Sequence, residues 1–412
     1  MPGLSEDEGA ILTALDGRRD AMVATLIQWS DINSGSRNLA GLETMRGLLR
    51  DRLLSLADIV EDRAADPVSA FDDHGERVAI PHGGNLLARK RPHANRRVML
   101  TGHMDTVFAP DHPFQRCLPM GGDRLHGPGT ADMKGGILIM LEALAALEAA
   151  GALDAIGWDV VLNADEEVSS LGSASLLRET ARGCRVGMTF EPSLDPAGML
   201  AGARPGSGNF SAVVRGRSAH AGRNPGDGRN AVVAAADLAV RLDGWGRGEA
   251  SVSVNVARSL GGGAGNVVPD LAMLWWNMRP TDAAAQQRSA AAIDALVTQV
   301  GAAHDVAIDL SGGFTRPPKP MDPRSEALFA FVAEAGGDIG LSLGWQATGG
   351  VCDGNNIAAE GVAVVDTMGA RGGAIHTDGE YLLIDSLTER AGLAALTLSR
   401  LAQGRLDGAV GW

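Results

Sequence analysis

Cysteine is scarce in this sequence: the 412 residues include three, Cys117, Cys184 and Cys352, and they are widely spaced. A disulfide framework and a thiolate zinc site both need paired cysteine spacings, so we expect neither.

Basic residues are also in deficit, since there are 36 Lys and Arg but 50 Asp and Glu, and the formal net charge is -14. Nucleic acids and anionic membranes attract positively charged surfaces, so we expect neither as a partner.

Long apolar runs are missing as well, and no stretch approaches the length of a membrane-spanning helix. The first ten residues, MPGLSEDEGA, are acidic where an export signal is basic. We therefore expect a cytoplasmic protein. Apolar residues as a class are plentiful, at 45% of the chain, and the chain is longer than one hydrophobic core normally serves. At least two domains are expected.

Two patterns along the chain predict these domains. Residues 96–200 contain short apolar strands that each end in a polar loop, with a helical stretch between them, and residues 361–381 repeat the pattern. It predicts an α/β domain with a mainly parallel sheet covered by helices. Residues 203–315 instead predict the order β-α-β-β-α-β, which is typical of a ferredoxin-like unit. We expect a catalytic domain formed by 1–202 and 316–412, interrupted by this inserted domain.

Polar residues in the loops after the predicted strands define a candidate metal site. Ligands of an open parallel sheet bind beyond the carboxyl ends of its strands. Nitrogen and oxygen donors without cysteine favour zinc or another divalent transition ion over calcium or magnesium. Two ions with three protein ligands each need five ligands if one carboxylate bridges them. Asp132, from a separate glycine-rich loop, is the candidate bridge. The residues of this site are His103, Asp105, Asp132, Glu166, Glu167, Glu191 and His376.

Glu166 and Glu167 are neighbours, and adjacent side chains on an extended backbone point in different directions. We therefore expect one of them to bind metal and the other to transfer protons.

The motifs of phosphate binding and of serine hydrolysis fit the sequence less well. The loop HGPGTADMKGG has Met133 where a phosphate-binding loop needs glycine, and neither RPGSGNF nor GRSAHAG completes the G-x-S-x-G motif of serine hydrolases.

Five segments, in order along the chain, resemble the metal-site motifs of the family-twenty zinc metallopeptidases, which include carboxypeptidases, deacetylases, desuccinylases and aminoacylases. The segments are TGHMDTV, HGPGTADMKGG, NADEEVSS, FEPS and AIHTDGEY. The resemblance implies that Asp105 orients the His103 ring, that Glu166 is the general base and that the peptide after Asp132 is cis. It implies two zinc sites, one formed by His103, Asp132 and Glu191, the other by Asp132, Glu167 and His376.

The same resemblance bears on the substrate and on assembly. It implies that Asn266, Arg279 and Arg316 line the substrate site and that the two arginines hold a carboxylate. It also implies that His220 reaches the zinc site of the other subunit, in a homodimer formed through the inserted domain. We therefore expect a dizinc enzyme, with cobalt or manganese as substitutes for zinc, that hydrolyses an amide bond in a small carboxylate-bearing substrate.

One segment departs from the carboxypeptidase pattern. The pocket loop TGGVCDGNN carries an added aspartate, Asp353, which would repel a glutamate side chain. Specificity for glutamate or folate is therefore not expected to carry over. An N-acyl-amino-acid deacylase is the alternative within the enzyme class. A metal-binding scaffold without turnover is the alternative outside it, although the presence of Glu166, which binds no metal in this scheme, favours an enzyme.

Overall fold

A computed structural model describes residues 3–412 as two α/β units. Its helices are α1 (Glu6–Asp16), α2 (Arg19–Ser30), α3 (Leu39–Leu54), α4 (Gly135–Ala149), α5 (Ala174–Ala181), α6 (Ala231–Gly248), α7 (Ala283–His304), α8 (Pro323–Asp338), α9 (Asp353–Ala358), α10 (Ser386–Ala402) and α11 (Asp407–Val410). None of the helices within residues 3–412 combines the length and the apolar character that spanning a membrane requires.

The strands range from two to ten residues in length. They are β1 (Ile59–Arg63), β2 (Val68–Phe71), β3 (Arg77–Ile80), β4 (Asn85–Lys90), β5 (Arg97–His103), β6 (Leu118–Met120), β7 (Arg124–His126), β8 (Gly157–Asn163), β9 (Val186–Thr189), β10 (Leu200–Ala201), β11 (Ser207–Arg215), β12 (Ala219–His220), β13 (Val252–Gly261), β14 (Val267–Val268), β15 (Leu271–Pro280), β16 (Ala307–Arg316), β17 (Trp345–Gln346), β18 (Ala363–Val365), β19 (Gly372–Gly373) and β20 (Tyr381–Leu383).

A six-stranded sheet in the order β1-β4-β8-β5-β9-β18 forms the centre of the catalytic domain. Strands β8, β5, β9 and β18 run parallel, whereas β4 and β1 add an antiparallel edge. Strands β5 and β8 are buried along their whole length, because both faces of the sheet are covered. The mainly parallel sheet predicted from the sequence is confirmed.

Helices cover both faces of this sheet. On one face α4 packs against β5 and against α1 and α10. On the other face α5 and α9 pack over a smaller core. Because side chains alternate along a strand, β5 contributes Val98 and Leu100 to the first core and Met99 to the second. The strand ends, and the loops that follow them, are therefore held from both sides.

The inserted domain is built on a second sheet, antiparallel throughout, in the order β13-β15-β11-β16. Helices α6 and α7 cover one of its faces, over a core that includes Leu238, Trp276 and Ile293. The elements follow one another as β11, α6, β13, β15, α7 and β16, so the predicted ferredoxin-like order is confirmed. The exact domain boundaries stay a prediction, since the sheet itself begins at Ser207 and ends at Arg316.

The chain crosses between the domains twice, first at Arg204 and Pro205 and again from Arg316 to Lys319, and the two crossings run side by side. Arg204 and Lys319 pair as neighbouring strands, and the N–H of each donates to the carbonyl oxygen of the other at 2.9 Å. Asn355 of α9 is fully buried, and its Nδ2 donates to the carbonyl oxygens of Pro205 and Pro317, both at 2.8 Å. One amide of the catalytic domain therefore holds both crossings.

Candidate active site

The candidate site lies where the parallel strands of the central sheet end. Strand β5 ends at His103, β8 precedes the turn that carries Glu166 and Glu167, and β9 precedes Glu191. The carboxyl ends of parallel strands share one edge of a sheet, so these side chains meet there. The loop before α4 and the loop before β20 complete the site with Asp132 and His376.

Two groups of three side chains are each arranged to hold a metal ion. Asp132 belongs to both groups: its Oδ1 lies 3.2 Å from Nε2 of His103, and its Oδ2 lies 3.2 Å from Nε2 of His376. It thus offers one oxygen to each group, as a bridging carboxylate does. Within each group, one ligand atom per residue lies within 4.8 Å of the other two; the groups are His103, Asp132 and Glu191, and Asp132, Glu167 and His376.

The loop that carries Asp132 is held by a residue that the sequence did not single out. The peptide Asp132–Met133 is cis, as predicted. The buried carboxylate of Glu380 accepts the backbone N–H groups of Gly129, Ala131 and Asp132 at 3.1, 2.9 and 3.0 Å. Its only signal in the sequence is its place in the segment AIHTDGEY. Glu380 therefore fixes the backbone from which the shared carboxylate projects.

Asp105 organises two parts of the site at once. Nδ1 of His103 donates to the carbonyl oxygen of Asp105 at 2.9 Å, with the Asp105 carboxylate 3.4 Å away, so the ring turns Nε2 toward the ligand group. The same carboxylate accepts the backbone N–H groups of Glu166 and Glu167 at 3.1 and 3.2 Å. The orienting role toward His103 stays a prediction, and the contact with the glutamate turn was not expected from the sequence.

The charges in this cluster fit a bound cation. Burial raises the pKa of Glu167 to about 8, with a further contribution from the Asp132 carboxylate, and burial raises the pKa of Glu191 to about 7. Hydrogen bonds to Asp132 and Glu167 raise the pKa of His376 to about 11. Oε1 of Glu167 is buried and has no hydrogen-bond partner within residues 3–412. Raised pKa values favour the protonated forms of Glu167, Glu191 and His376, and metal ions would bind there in exchange for those protons.

A cavity of about 240 Å³ opens beside the two ligand groups, and Glu166 lies in its wall. Arg204, which sequence reasoning missed, also lines it and donates from Nε to Oδ2 of Asp366 at 2.5 Å. Cys352 also lines the cavity, and its thiol donates to the same Oδ2 of Asp366 at 3.0 Å. Burial raises the pKa of the Cys352 thiol well above its ordinary value, so this cysteine is a structural thiol rather than a nucleophile.

The structure does not gather the four predicted substrate residues in this cavity. Arg279 is half-buried at its rim, where Nη1 donates to the carbonyl oxygen of Gly349 at 2.8 Å. His220 and Asn266 are exposed together at one end of the inserted domain. Arg316 is buried elsewhere. None of the four lines the cavity of its own chain in the described part, 3–412, and their substrate-binding roles stay predictions.

Comparison with known proteins decides the family. Residues 99–400 match the model of peptidase family M20/M25/M40, and this span includes every residue of both ligand groups. The chain belongs to this family. The resemblance predicted from five motifs is thereby confirmed, and M20 enzymes depend on metal for their activity.

The M20 relatives are hydrolases. This chain is 26% identical to carboxypeptidase G2 of Pseudomonas sp. (strain RS-16) over 413 residues, which cover 97% of this chain and 93% of the relative. It is 30% identical to a succinyl-diaminopimelate desuccinylase of Methylibium petroleiphilum over 331 residues, which cover 74% and 81%. The chain is accordingly an enzyme that hydrolyses amide bonds.

Solved structures of M20 proteins share the fold. Aminopeptidase PepT of Bacillus cereus matches with a TM-score of 0.69 at 22% identity, over 93% of this chain and 99% of that one. Human carnosine dipeptidase 1 matches with a TM-score of 0.67 at 15% identity, over 96% and 100%. At such low identities these matches speak for the fold alone, an α/β catalytic domain interrupted by an inserted domain.

Proposed function

We propose that this M20 enzyme is a dizinc hydrolase that cleaves an amide bond in a small carboxylate-bearing substrate, as carboxypeptidases and dipeptidases do. The observation that supports this most directly is the pair of ligand groups that share Asp132. In this proposal His103, Asp132 and Glu191 hold one ion, and Asp132, Glu167 and His376 hold the other. Cobalt or manganese would suit the same nitrogen and oxygen donors. The alignment with carboxypeptidase G2 over 97% of the chain favours a peptidase.

Glu166 is the residue that we assign to proton transfer. Its carboxylate lies in the cavity wall, and it belongs to neither ligand group. It takes a proton from the attacking water and returns it to the amine that leaves, so one carboxylate serves as base and then as acid. When bound, the two ions supply a water of lowered pKa and positive charge for the developing oxyanion. Asp105 holds the Glu166 backbone in place meanwhile.

Arg279 is the residue that we assign to the substrate carboxylate. Its Nη1 contacts Gly349, and the neighbours Thr348 and Gly350 line the cavity, so the guanidinium lies at the cavity rim. Arginine binds carboxylates well because its planar fork of N–H donors matches their two oxygens. A substrate whose amide lies at the metal groups would then place a carboxylate toward the inserted domain.

A homodimer formed through the inserted domain is part of the proposal. Strand β13 is at the edge of its sheet, where unpaired backbone groups invite a second strand. Beside it, α6 leaves Val233 and Val240 51% and 70% exposed. Two copies that meet along this strand and helix would form a two-fold interface. His220 and Asn266 would then serve the site of the partner.

A cytoplasmic location is also proposed. The three cysteines, Cys117, Cys184 and Cys352, are buried free thiols, which suits a reducing compartment. The excess of acidic residues favours a small-molecule substrate over nucleic acid or an anionic membrane.

An N-acyl-amino-acid deacylase is the second candidate, and the 30% identity to a desuccinylase favours it. The structure removes the reason, given by Asp353, for expecting that a glutamate side chain is repelled from the pocket. Asp353 is buried, and its carboxylate accepts hydrogen bonds from Asn163 at 2.7 Å and from Ser170 at 2.5 Å. It therefore points away from the cavity, which it does not line. Both candidates share the same metal groups and differ in the acyl part of the substrate.

A substrate panel separates the candidates. The zinc-loaded protein is offered dipeptides with free and blocked C-terminal carboxylates, together with N-acetyl and N-succinyl amino acids, and the release of amine is measured. We expect hydrolysis of dipeptides or acyl-amino acids with a free carboxylate, and little hydrolysis of the blocked ones. Activity confined to the N-acyl compounds would favour the deacylase. No turnover of any compound by a protein that holds two ions would contradict the proposed function and favour the scaffold.

Metal-free protein is expected to take up two zinc ions per chain. Each ion that binds the folded chain stabilises it by about 2.7 kcal/mol when free zinc is 100 times Kd, so the midpoint of thermal unfolding rises. His376, with its pKa of about 11, must lose a proton to bind an ion, so uptake releases protons and affinity rises with pH. Calorimetric titration in two buffers measures stoichiometry and proton release, and hydrolysis should return with zinc, cobalt or manganese. Fewer than two ions per chain would contradict the dinuclear site.

A further inference from the structure

Arg316 occupies the second crossing between the domains. It is the last residue of β16, where the chain leaves the inserted domain for the catalytic domain. Sequence resemblance implies a substrate role for it, but its side chain is 2% exposed and faces the interior. Within residues 3–412 the lining of the cavity does not include it. A substrate carboxylate would therefore have to displace the groups that Arg316 already binds.

The groups that Arg316 binds belong mainly to Glu166. Nη1 donates to Oε1 of the Glu166 carboxylate, and Nη2 donates to the main-chain oxygen of the same residue at 2.9 Å. Nη2 also donates to Oγ of Ser170 at 2.8 Å. A guanidinium is planar and rigid, so bonds from its two ends to one residue hold both the backbone and the carboxylate of that residue.

Asp353 and its hydrogen-bond partners form a buried polar network beside the Arg316 guanidinium. Oδ1 of Asp353 lies 3.6 Å from Nη2 of Arg316 and accepts the Ser170 hydroxyl at 2.5 Å. Oδ2 of Asp353 accepts Nδ2 of Asn163, at the end of β8, at 2.7 Å. A buried ion pair gains from additional hydrogen bonds that satisfy its remaining polar atoms. Nη1 and Nη2 of Arg316 have such partners, whereas Nε has none within residues 3–412, so the bonds from Nη1 and Nη2 set the orientation of the guanidinium.

We propose that Arg316 is a positioning residue for Glu166 and not a substrate ligand, and that it links the proton-transferring carboxylate to the inserted domain. This inference rests on the proposed function, in which Glu166 transfers protons. Asn355 holds both crossings, so a rotation of the inserted domain pivots near this point. Such a rotation moves the end of β16, and the guanidinium carries the displacement to Glu166.

Kinetics distinguish positioning from substrate binding. Arg316→Lys keeps the charge but cannot make both bonds to Glu166, so kcat should fall about 10-fold to 100-fold, the effect of a misplaced reacting group. KM should stay within about threefold, with two metal ions retained. Arg279→Lys is the matched control at the cavity rim, and it should raise KM with little change in kcat, because it removes binding common to the ground and transition states. An Arg316→Lys enzyme that behaves like Arg279→Lys would overturn the inference.

A double-mutant cycle tests whether Arg316 acts through Glu166. In the Glu166→Gln background, Arg316→Lys should lower kcat by less than about twofold, because the group that it positions no longer transfers protons. Losses that multiply would show an independent role for Arg316 and would contradict the inference.

Thermal unfolding provides a readout that does not depend on turnover. If the buried pair exists, Glu166→Gln and Arg316→Lys each lower the unfolding midpoint, and the double variant unfolds no lower than the more affected single variant. Shifts that add would mean that the pair is not formed in solution, whatever the protein hydrolyses. Coupled midpoints in a protein that hydrolyses no panel compound would instead overturn the proposed function, and with it the catalytic role of the pair.

Discussion

Replacing Glu166 by glutamine is expected to lower kcat by about 10²-fold to 10⁴-fold while both metal ions stay bound. The size of the loss is that of a general base, because glutamine keeps the shape of the side chain but accepts no proton. Metal binding should survive because Glu166 belongs to neither ligand group. The amide oxygen can still accept the hydrogen bond from Arg316, so the site should keep its structure, although the neutral amide pairs more weakly with the guanidinium and the unfolding midpoint falls.

Glu167→Gln is the informative comparison, since the two glutamates are adjacent but make different contacts. Oε2 of Glu167 lies 3.2 Å from Nε2 of His376 inside a ligand group, so this variant should weaken one metal site. Glu326→Gln, on the exposed side of α8, is a control that should change neither property. Metal content by mass spectrometry and kcat are measured for all three. Equal metal loss in both active-site variants, with Glu166→Gln still active, would show that the roles are misassigned.

Two chains that are each inactive should restore activity when they form a mixed dimer. In the proposed dimer we expect His220 to donate a hydrogen bond to the oxyanion that forms in the partner's site. His220→Ala removes this donor, and loss of one such donor costs about 10²-fold to 10³-fold in kcat. His220 is exposed on the inserted domain and does not line the cavity of its own chain in the described part. If it serves the partner, a heterodimer of His220→Ala and Glu166→Gln has one site with both native residues. That heterodimer should recover up to about half of the native activity.

The experiment needs purified heterodimers, which two different affinity tags on co-expressed chains provide. Analytical ultracentrifugation establishes the oligomeric state, and kcat is measured per heterodimer. His304→Ala is the matched control, because His304 also lies in the inserted domain but binds Asp237 on α6, so its loss should leave kcat unchanged. No recovery in proven heterodimers, or full activity in a monomer, would mean that His220 acts within its own chain or has no catalytic part.

The sequence by itself was sufficient for the fold class and for the expectation that the candidate ligands of the strand-end loops meet at one edge of the sheet. Apolar strands followed by polar loops are a local signal, and the rule that parallel strands end at one edge brings their loops together without further information. The helical stretch predicted within residues 96–200 is α4, which begins at Gly135 and packs against β5 of the sheet. The strand and helix order of residues 203–315 likewise predicted the inserted domain.

Only the tertiary structure decided what the polar residues between the domains do. Arg316 binds Glu166, 150 positions away in the chain, and Asp353 turns toward Ser170, 183 positions away, rather than toward the cavity. Glu380 reaches the Asp132 loop across 248 positions. Local patterns specify which face of a strand or helix is apolar, but a buried polar side chain takes its partners from whichever segments the packing brings beside it, because an unpaired polar group in the interior is costly.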